Sequence, residues 1–444
     1  MVKRILTTLA ITAAFGALQL WTSPVHAQSP TASGGSSLSR NPNGVQNRVE
    51  SIAQPKDALF RVPALEALLD PYYRFKQNLK DRYGLAFGMF YSPMAQFATT
   101  GAIPQGFGGT FNLDVNWNLL GRGTDHPGHL LFRMQHRHRY TSVSPTTLFL
   151  QTGSMWPSTI GYGPFKLSVL ELAWQQHIIK DRFIVRAGKM IPFSNHDYFR
   201  FKSPFAGFND ANFTLNPTIA YNSTGLGIAA LVRPREDIYI TAGLYDANGK
   251  PQRTGFNTFF NTREYLKIVD VGWDPGHLNK DQEVHLGPVK VSDVHLTFWH
   301  KDRLKAAGAP AGWGVSFLAE GEIGRYVPFI RAGYSNGKAG GPSLLNVMLA
   351  GGVGIRAPFG QKNDLIGLAA AWGQRDLGTI DTNGDNIPDL AIGNVNQFSA
   401  EAFYRLQVIK EFSITPHVQV IVNPALNAGK NFVAVFGLRG RWAM

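Results

Sequence analysis

Between Asp197 and Asp210 the sequence interleaves rings with charges: Tyr198, Phe199, Phe201, Phe205 and Phe208 alternate with Asp197, Arg200, Lys202, Asn209 and Asp210. Aromatic faces accept C–H surfaces, while guanidinium, ammonium, carboxylate and amide groups exchange hydrogen bonds with hydroxyls. A small polyhydroxylated solute offers both kinds of surface. The plainer alternative is that these rings only pack the segment against a wall.

A second set of residues recurs at alternate positions. Arg133, Gln135, Arg137 and Arg139 share one face of a strand-like run, and Glu171, Gln175 and His177 share one face of the next. Arg186, Arg331, Arg356, Glu320, Glu322, Glu401 and Arg405 have the same parity on their own runs. Both signs occur, so facing charges can pair and leave a polar lining with a modest positive bias. A solvated inner face without selectivity is the simpler reading for each residue alone. If the arginines of 133–139 point inward, His136 and His138 point outward, which a bulge or a subunit contact would accommodate.

Asp381, Asn383, Asp385 and Asp389 place oxygen donors at alternate positions, as in a calcium loop. Asn386 stands where such loops have Gly, and Ile392 where they have a bidentate Glu, so the cage is partial. Weak calcium binding or a plain polar loop are the two readings. Catalysis would need a hydroxyl or carboxylate beside a His oriented by a third group. The twelve His are scattered, none lies in a nucleophile motif and the chain contains no cysteine, so no enzyme is expected.

The elements that must position these groups are strands. After Tyr83 the apolar pattern alternates over sixteen strand-length runs, 83–98, 108–120, 128–141, 167–178, 182–190, 223–233, 238–247, 265–273, 291–301, 313–323, 326–335, 346–357, 364–374, 397–409, 412–423 and 431–442. Their connections alternate between short and long. Residues 180–181, 234–237, 324–325, 359–363 and 410–411 are short, whereas 142–166, 191–222, 248–264, 302–312 and 375–396 are long. Only 274–290 breaks the rule. Even strand number with periplasmic turns and external loops predicts an all-β fold, a transmembrane antiparallel β-barrel over 83–444. Trp117, Trp273, Trp313, Trp372 and Trp442 near strand ends suit interfacial belts. At sixteen strands the bore is too wide for side chains of the wall to fill, which predicts an aqueous channel.

Composition agrees. Gly is 47 of 444 residues, aromatics are 12% and charged residues only 16%, low for a soluble domain and suited to a wall facing outer-membrane lipid. Residues 1–27 read as a signal peptide, with Lys3 and Arg4 before an apolar run and Val25-His26-Ala27 at its exit. Its removal lowers the formal charge from +13 to +11. No block of five or six like charges marks a nucleic-acid arm. Residues 28–56, rich in Ser, Gly, Asn, Pro and Gln, read as a flexible periplasmic lead, and 57–82 as a short helical segment interrupted at Pro71.

Three patches resemble a known family. Arg186-Ala-Gly188-Lys189 through Pro192-Phe193-Ser194, Asp197 and Arg200 is similar to the strand-plus-loop signature of the bacterial carbohydrate-selective porins. Arg233-Pro234 with Tyr239 and Tyr245-Asp246 forms the second patch. Glu401 to Tyr404, Pro416 to Gln419, Asn423-Pro424 and Gly437 to Arg439 resemble that family's closing strands. The chain departs from the usual aromatic terminus, because Ala443 and Met444 follow Trp442. The resemblance implies passive diffusion of mono- and small oligosaccharides across the outer membrane of a Gram-negative bacterium, through a homotrimer or a monomer. A general or weakly anion-selective porin is the alternative. The channel and sugar-binding set expected on these grounds is Arg133, Arg137, Glu171, Arg186, Asp197, Phe199, Arg200, Arg331, Glu401 and Arg405.

Overall fold

The computed structural model describes residue 38 and residues 40–336, 345–375, 378–380, 390–392 and 394–444. The signal segment and Asp381, Asn383, Asp385 and Asp389 lie outside them. Two helices come first, α1 (Val45–Ala53) and α2 (Pro63–Tyr83). Sixteen long strands follow among the described residues: β1 (Leu85–Ala98), β2 (Gln105–Leu120), β3 (Gly128–Arg139), β4 (Phe165–Ile179), β5 (Phe183–Met190), β6 (Gly225–Arg235), β7 (Ile238–Asp246) and β8 (Tyr265–Trp273), then β9 (Val289–Lys301), β10 (Gly312–Glu322), β11 (Tyr326–Ser335), β12 (Val347–Arg356), β13 (Leu365–Gln374), β14 (Asn396–Ile409), β15 (Phe412–Val422) and β16 (Phe432–Ala443).

Each strand pairs antiparallel with its neighbours in sequence, and β16 closes the ring on β1 from Phe90 opposite Ala443 to Ala98 opposite Val435. Closure leaves no open edge to be satisfied. The unusual terminus is part of the ladder, since the Met444 and Met89 backbones exchange hydrogen bonds at 2.9 Å.

Alternation sorts the wall as the sequence implies. On β15, Ser413, Thr415, His417 and Gln419 are buried within the barrel, while Phe412, Ile414, Val418 and Val420 face outward. The outer surface carries exposed Ile228, Val271, Phe298, Ile330, Leu349, Leu368, Phe398 and Phe436 in one apolar band. His136 and His138 do point outward, and His138 Nε2 meets the hydroxyls of Tyr91 at 3.0 Å and Tyr140 at 2.9 Å.

The long connection 274–288 is a lip on the turn rim. It holds a 3-10 turn at Lys280–Gln282 and a short strand, His285–Leu286, that pairs back on Val289 and Lys290.

Two expectations about the N-terminal part are corrected. Residues 40–56 are not a flexible lead: α1 lies inside the barrel against β1, β2 and β3, with Val45, Gln46, Arg48, Val49 and Ile52 buried. The composition hid this because the segment is held by polar contacts and few large apolar groups. Pro71 does not interrupt α2, which runs unbroken for 21 residues. The proline forfeits one helical hydrogen bond, and the docked side chains on both flanks carry the helix across it. Gly84 then turns the chain into β1 at φ 70°, where a Cβ would meet the Asn118 carbonyl oxygen at 2.5 Å.

Candidate functional site: an inserted loop above a basic vestibule

The third external loop, residues 191–224, enters the barrel and is pinned there from several sides. Asp197, at φ 49°, is fully buried and accepts from Arg331 Nη2 of β11 at 2.8 Å and Lys202 Nζ at 3.3 Å. His295 Nε2 of β9 lies 3.7 Å away. Left-handed backbone is strained for a residue with a Cβ, and these cations hold it in place; they also pull the Asp197 carboxyl well below the usual carboxylate range, against the opposing effect of its burial.

Phe199 is buried in a cluster with Phe201 and Phe329, with the Arg331 guanidinium 4.7 Å above its ring. Glu401 of β14 accepts from the backbone N–H of Asn209 at 2.8 Å and of Asp210 at 2.7 Å. Arg439 of β16 donates to the carbonyls of Pro204 at 2.6 Å and Gly207 at 2.9 Å.

Of the three loop residues in the expected sugar-binding set, only Arg200 reaches the open space. Its side chain is 27% exposed, its Nη1 pairs with Glu322 of β10 and its Nε lies 3.5 Å from Glu320. Asp197 and Phe199 are pins of the loop, a correction to their expected contact with solute: the ring's faces are taken by Phe201, Phe329 and Arg331.

The arginine ladder of the opposite wall also has a different task. Arg133 donates through Nε to Asp114 Oδ1 at 2.6 Å and through Nη2 to the Asn43 carbonyl at 2.6 Å, and its Nη1 lies 3.2 Å from Glu171. Arg186 donates to Asn195 Oδ1 at 2.7 Å and to Gln46 Oε1 at 3.4 Å, with Glu171 at 3.7 Å. Arg48 reaches Asn112 and Asp114 at 3.1 and 3.3 Å. Arg133, Glu171 and Arg186 are therefore joined, but the N-terminal segment is what covers them. Arg137, half-buried, joins through Gln135, to whose Oε1 it donates at 2.7 Å, and lies 4.5 Å above the Phe165 ring.

Beneath α1 and loop 191–224, a cavity of about 470 Å³ opens at the turn rim. Its roof is Tyr198, Arg200, Ser203 and Phe205, and α1 gives one side. Strand ends supply Glu322, Arg356, Arg405 and Arg441, and the 274–288 lip closes the rest. Nine of its lining residues are Lys or Arg (Arg40, Arg48, Lys56, Arg200, Lys280, Lys290, Arg356, Arg405 and Arg441) against three Glu (Glu50, Glu283 and Glu322).

Glu322 is shared between Arg200 and Arg356, and Glu283 pairs with Lys290. Burial and the neighbouring Arg441 and Arg405 push Lys56 down to about 7. Arg405 donates to the carbonyls of Ala206 at 2.8 Å and Asn363 at 3.2 Å. Arg331 and Glu401 lie above, inside the loop's anchorage.

Sequence reasoning missed Arg40, Arg48, Lys56 and Arg441 as lining residues. The inward parity of Arg441 on β16 was the one signal available for them. Among the described residues no group of three His, Asp or Glu is placed to hold a metal ion.

A closed sixteen-strand barrel with an apolar outer wall, a loop folded into its bore and a charged vestibule defines a porin of the Gram-negative outer membrane. A model of the carbohydrate-selective porins of the OprB family matches residues 161–444, and the chain belongs to that family. It is a channel for passive diffusion of carbohydrates.

Among solved structures, the high pH structure of Pseudomonas putida OprB aligns with TM-score 0.63 at 12% identity, covering 84% of this chain and 97% of that one. The low pH structure of the same protein gives 0.49, with 12% identity and coverage of 84% and 96%. OccK11 (OpdR) of Pseudomonas aeruginosa gives 0.46, with 9% identity and coverage of 81% and 96%. No curated protein matches the sequence. At 12% identity the first of these likenesses bears on the fold alone.

Proposed function

We propose that a sugar crosses the periplasmic mouth along Arg200, Arg405 and Arg441, whose guanidinium N–H groups exchange hydrogen bonds with its hydroxyls. The observation that carries this reading is the vestibule itself, an open space bounded by the inserted loop and lined by nine Lys or Arg and three Glu side chains. Contacts of this kind are exchangeable, so a solute can both bind and leave. The wall does no chemistry on its cargo, and outer-membrane lipid covers the apolar band.

The same charge balance supports an anion preference beside sugar passage. Screening shortens the Debye length from about 10 Å at 0.1 M salt to about 3 Å at 1 M, so that preference weakens as salt rises. The outward polar patch of Tyr91, His136, His138 and Tyr140 favours a subunit contact, and with it the homotrimer over the monomer; chemical cross-linking in vesicles tests this, and only monomer bands would argue against it.

Arg441→Gln is the informative variant for the sugar path. Arg405 also holds loop 191–224, whereas Arg441 rests only 5.0 Å above the Phe90 ring. In planar bilayers the variant should lose sugar block of the ion current and shift the reversal potential toward cations. Unchanged block and potential would place the path elsewhere.

A further inference from the structure

Helix α2 lies outside the barrel, and its sides differ in kind. The partly buried Leu65, Leu69, Tyr72, Lys76 and Leu79 recur at helical spacing and form the docked face. That face meets the outer surface of the wall: the Tyr72 ring lies 6.2 Å edge-on to Phe87 of β1, and Lys76 Nζ lies 5.0 Å above the same ring. Phe87 points outward, because its neighbours Gly88 and Phe90 meet Ile52 and Phe205 within the bore. The hydroxyl of Tyr73 donates to Glu411 at 2.8 Å, which fixes α2 along the periplasmic rim at the β14–β15 turn.

The remaining circumference divides in two. One edge is apolar, with Leu68 74% and Phe75 55% exposed one heptad apart and Pro71 between them. The other carries Asp70, Arg74, Gln77 and Asp81, and Arg74 bridges Asp70 at 2.6 Å. The apolar edge continues into exposed Leu59, Phe60 and Val62 before the helix, and the outer wall near its C-terminal end shows exposed Leu119 and Leu120. A helix with an apolar edge, a charged edge and little net hydrophobicity suits the plane of a membrane interface.

We propose that α2 is an interfacial anchor, its Leu68–Phe75 edge seated among phospholipids of the inner leaflet of the outer membrane and its Arg74–Gln77 edge in the periplasm. Continuity with the lipid-facing wall through Tyr72 and Phe87 selects lipid over a protein partner. The inference is independent of which solute the channel carries. The anchor has a mechanical consequence, since the six-residue strap between Lys56 and Pro63 joins α2 to the segment inside the bore. That strap is fixed to the rim by hydrogen bonds from Asp57 N to Asn363 Oδ1 at 2.7 Å, Leu59 N to the Gln407 carbonyl at 2.9 Å and Phe60 N to the Val408 carbonyl at 2.8 Å.

The absence of native cysteine makes a clean test available. Leu68→Cys, Phe75→Cys and Gln77→Cys, each spin-labelled in the full barrel, are reconstituted into phosphatidylethanolamine and phosphatidylglycerol vesicles. Power saturation with oxygen and with a water-soluble nickel chelate is then measured. Labels at 68 and 75 should show a several-fold higher ratio of oxygen to nickel accessibility than the label at 77. Equal nickel accessibility at 75 and 77 would put both edges in water and overturn the proposal. Labels at 68 and 75 shielded from both reagents would also overturn it, by showing a second copy of the chain over that edge.

Discussion

Helix α1 should obstruct ion flow in this channel beside the inserted loop, and its removal is the most direct perturbation. Its nine residues form a cylinder about 14 Å long and about 10 Å across, hence on the order of 1,000 Å³. A chain lacking residues 28–53 should therefore open on the order of 1,000 Å³ more to water beside the vestibule on the periplasmic side. Conductance scales with open cross-section over length. Single-channel conductance in planar bilayers should therefore rise about two- to threefold for a helix of this cross-section.

A gentler variant removes only the attachments. Asn43→Ala with Arg48→Ala abolishes the hydrogen bonds to Lys202 O at 2.7 Å, Asn112 Oδ1 at 3.1 Å and Asp114 Oδ2 at 3.3 Å. It should give flickering between two conductance levels as α1 leaves and returns. Heat-modifiable migration in gels checks that the barrel itself has assembled. A correctly assembled truncated channel with the full-length conductance would refute the reasoning, because α1 would then not obstruct the conducting path.

Other outcomes follow from the loop. Phe199→Ala deletes a buried ring and should cost about 3–5 kcal/mol of loop packing, read as a lower unfolding temperature with noisier current; intact stability with weaker sugar block would return the ring to the path. Asp210 is raised to about 8 by burial and by Glu401. Its value in the folded loop lies above the unfolded 3.8, so this contribution to loop docking is complete below about pH 4 and drains away as pH rises through about 8. Current noise should accordingly grow between about pH 4 and about pH 8 and level off above that, and Asp210→Asn should abolish that growth; a pH-independent wild type would sink the assignment. Calcium titration by calorimetry should show weak heat that Asp385→Ala removes, and no heat in the wild type would leave the 381–389 segment a polar loop.

The wall was legible in the sequence because its causes are local. A strand between lipid and water must change polarity at every residue, so a period of two marks each of the sixteen strands, and both faces can be assigned without knowing any partner. Residues 412–420 illustrate this, as does Arg439, inward by parity and found buried. The family patches were legible for the same reason, lying on strands and the loop directly after β5.

The contents of the bore were decided by tertiary structure. Phe199 and Arg200 are adjacent and equally able to meet a solute, yet contacts from β10 and β11, more than a hundred residues away, bury the first and leave the second at the vestibule roof. Residues 40–53 carry only one short apolar stripe, Val45, Val49 and Ile52 at i, i+4 and i+7, too little to announce a packed helix against a Ser-, Asn- and Gln-rich background. Their order comes from Asn43, Gln46 and Arg48 meeting Arg133, Arg186 and Asp114 on strands that the chain has yet to form. Polar partners at that separation leave no trace in local composition, so a segment that reads as a loose lead becomes the plug of the barrel only once the wall exists to receive it.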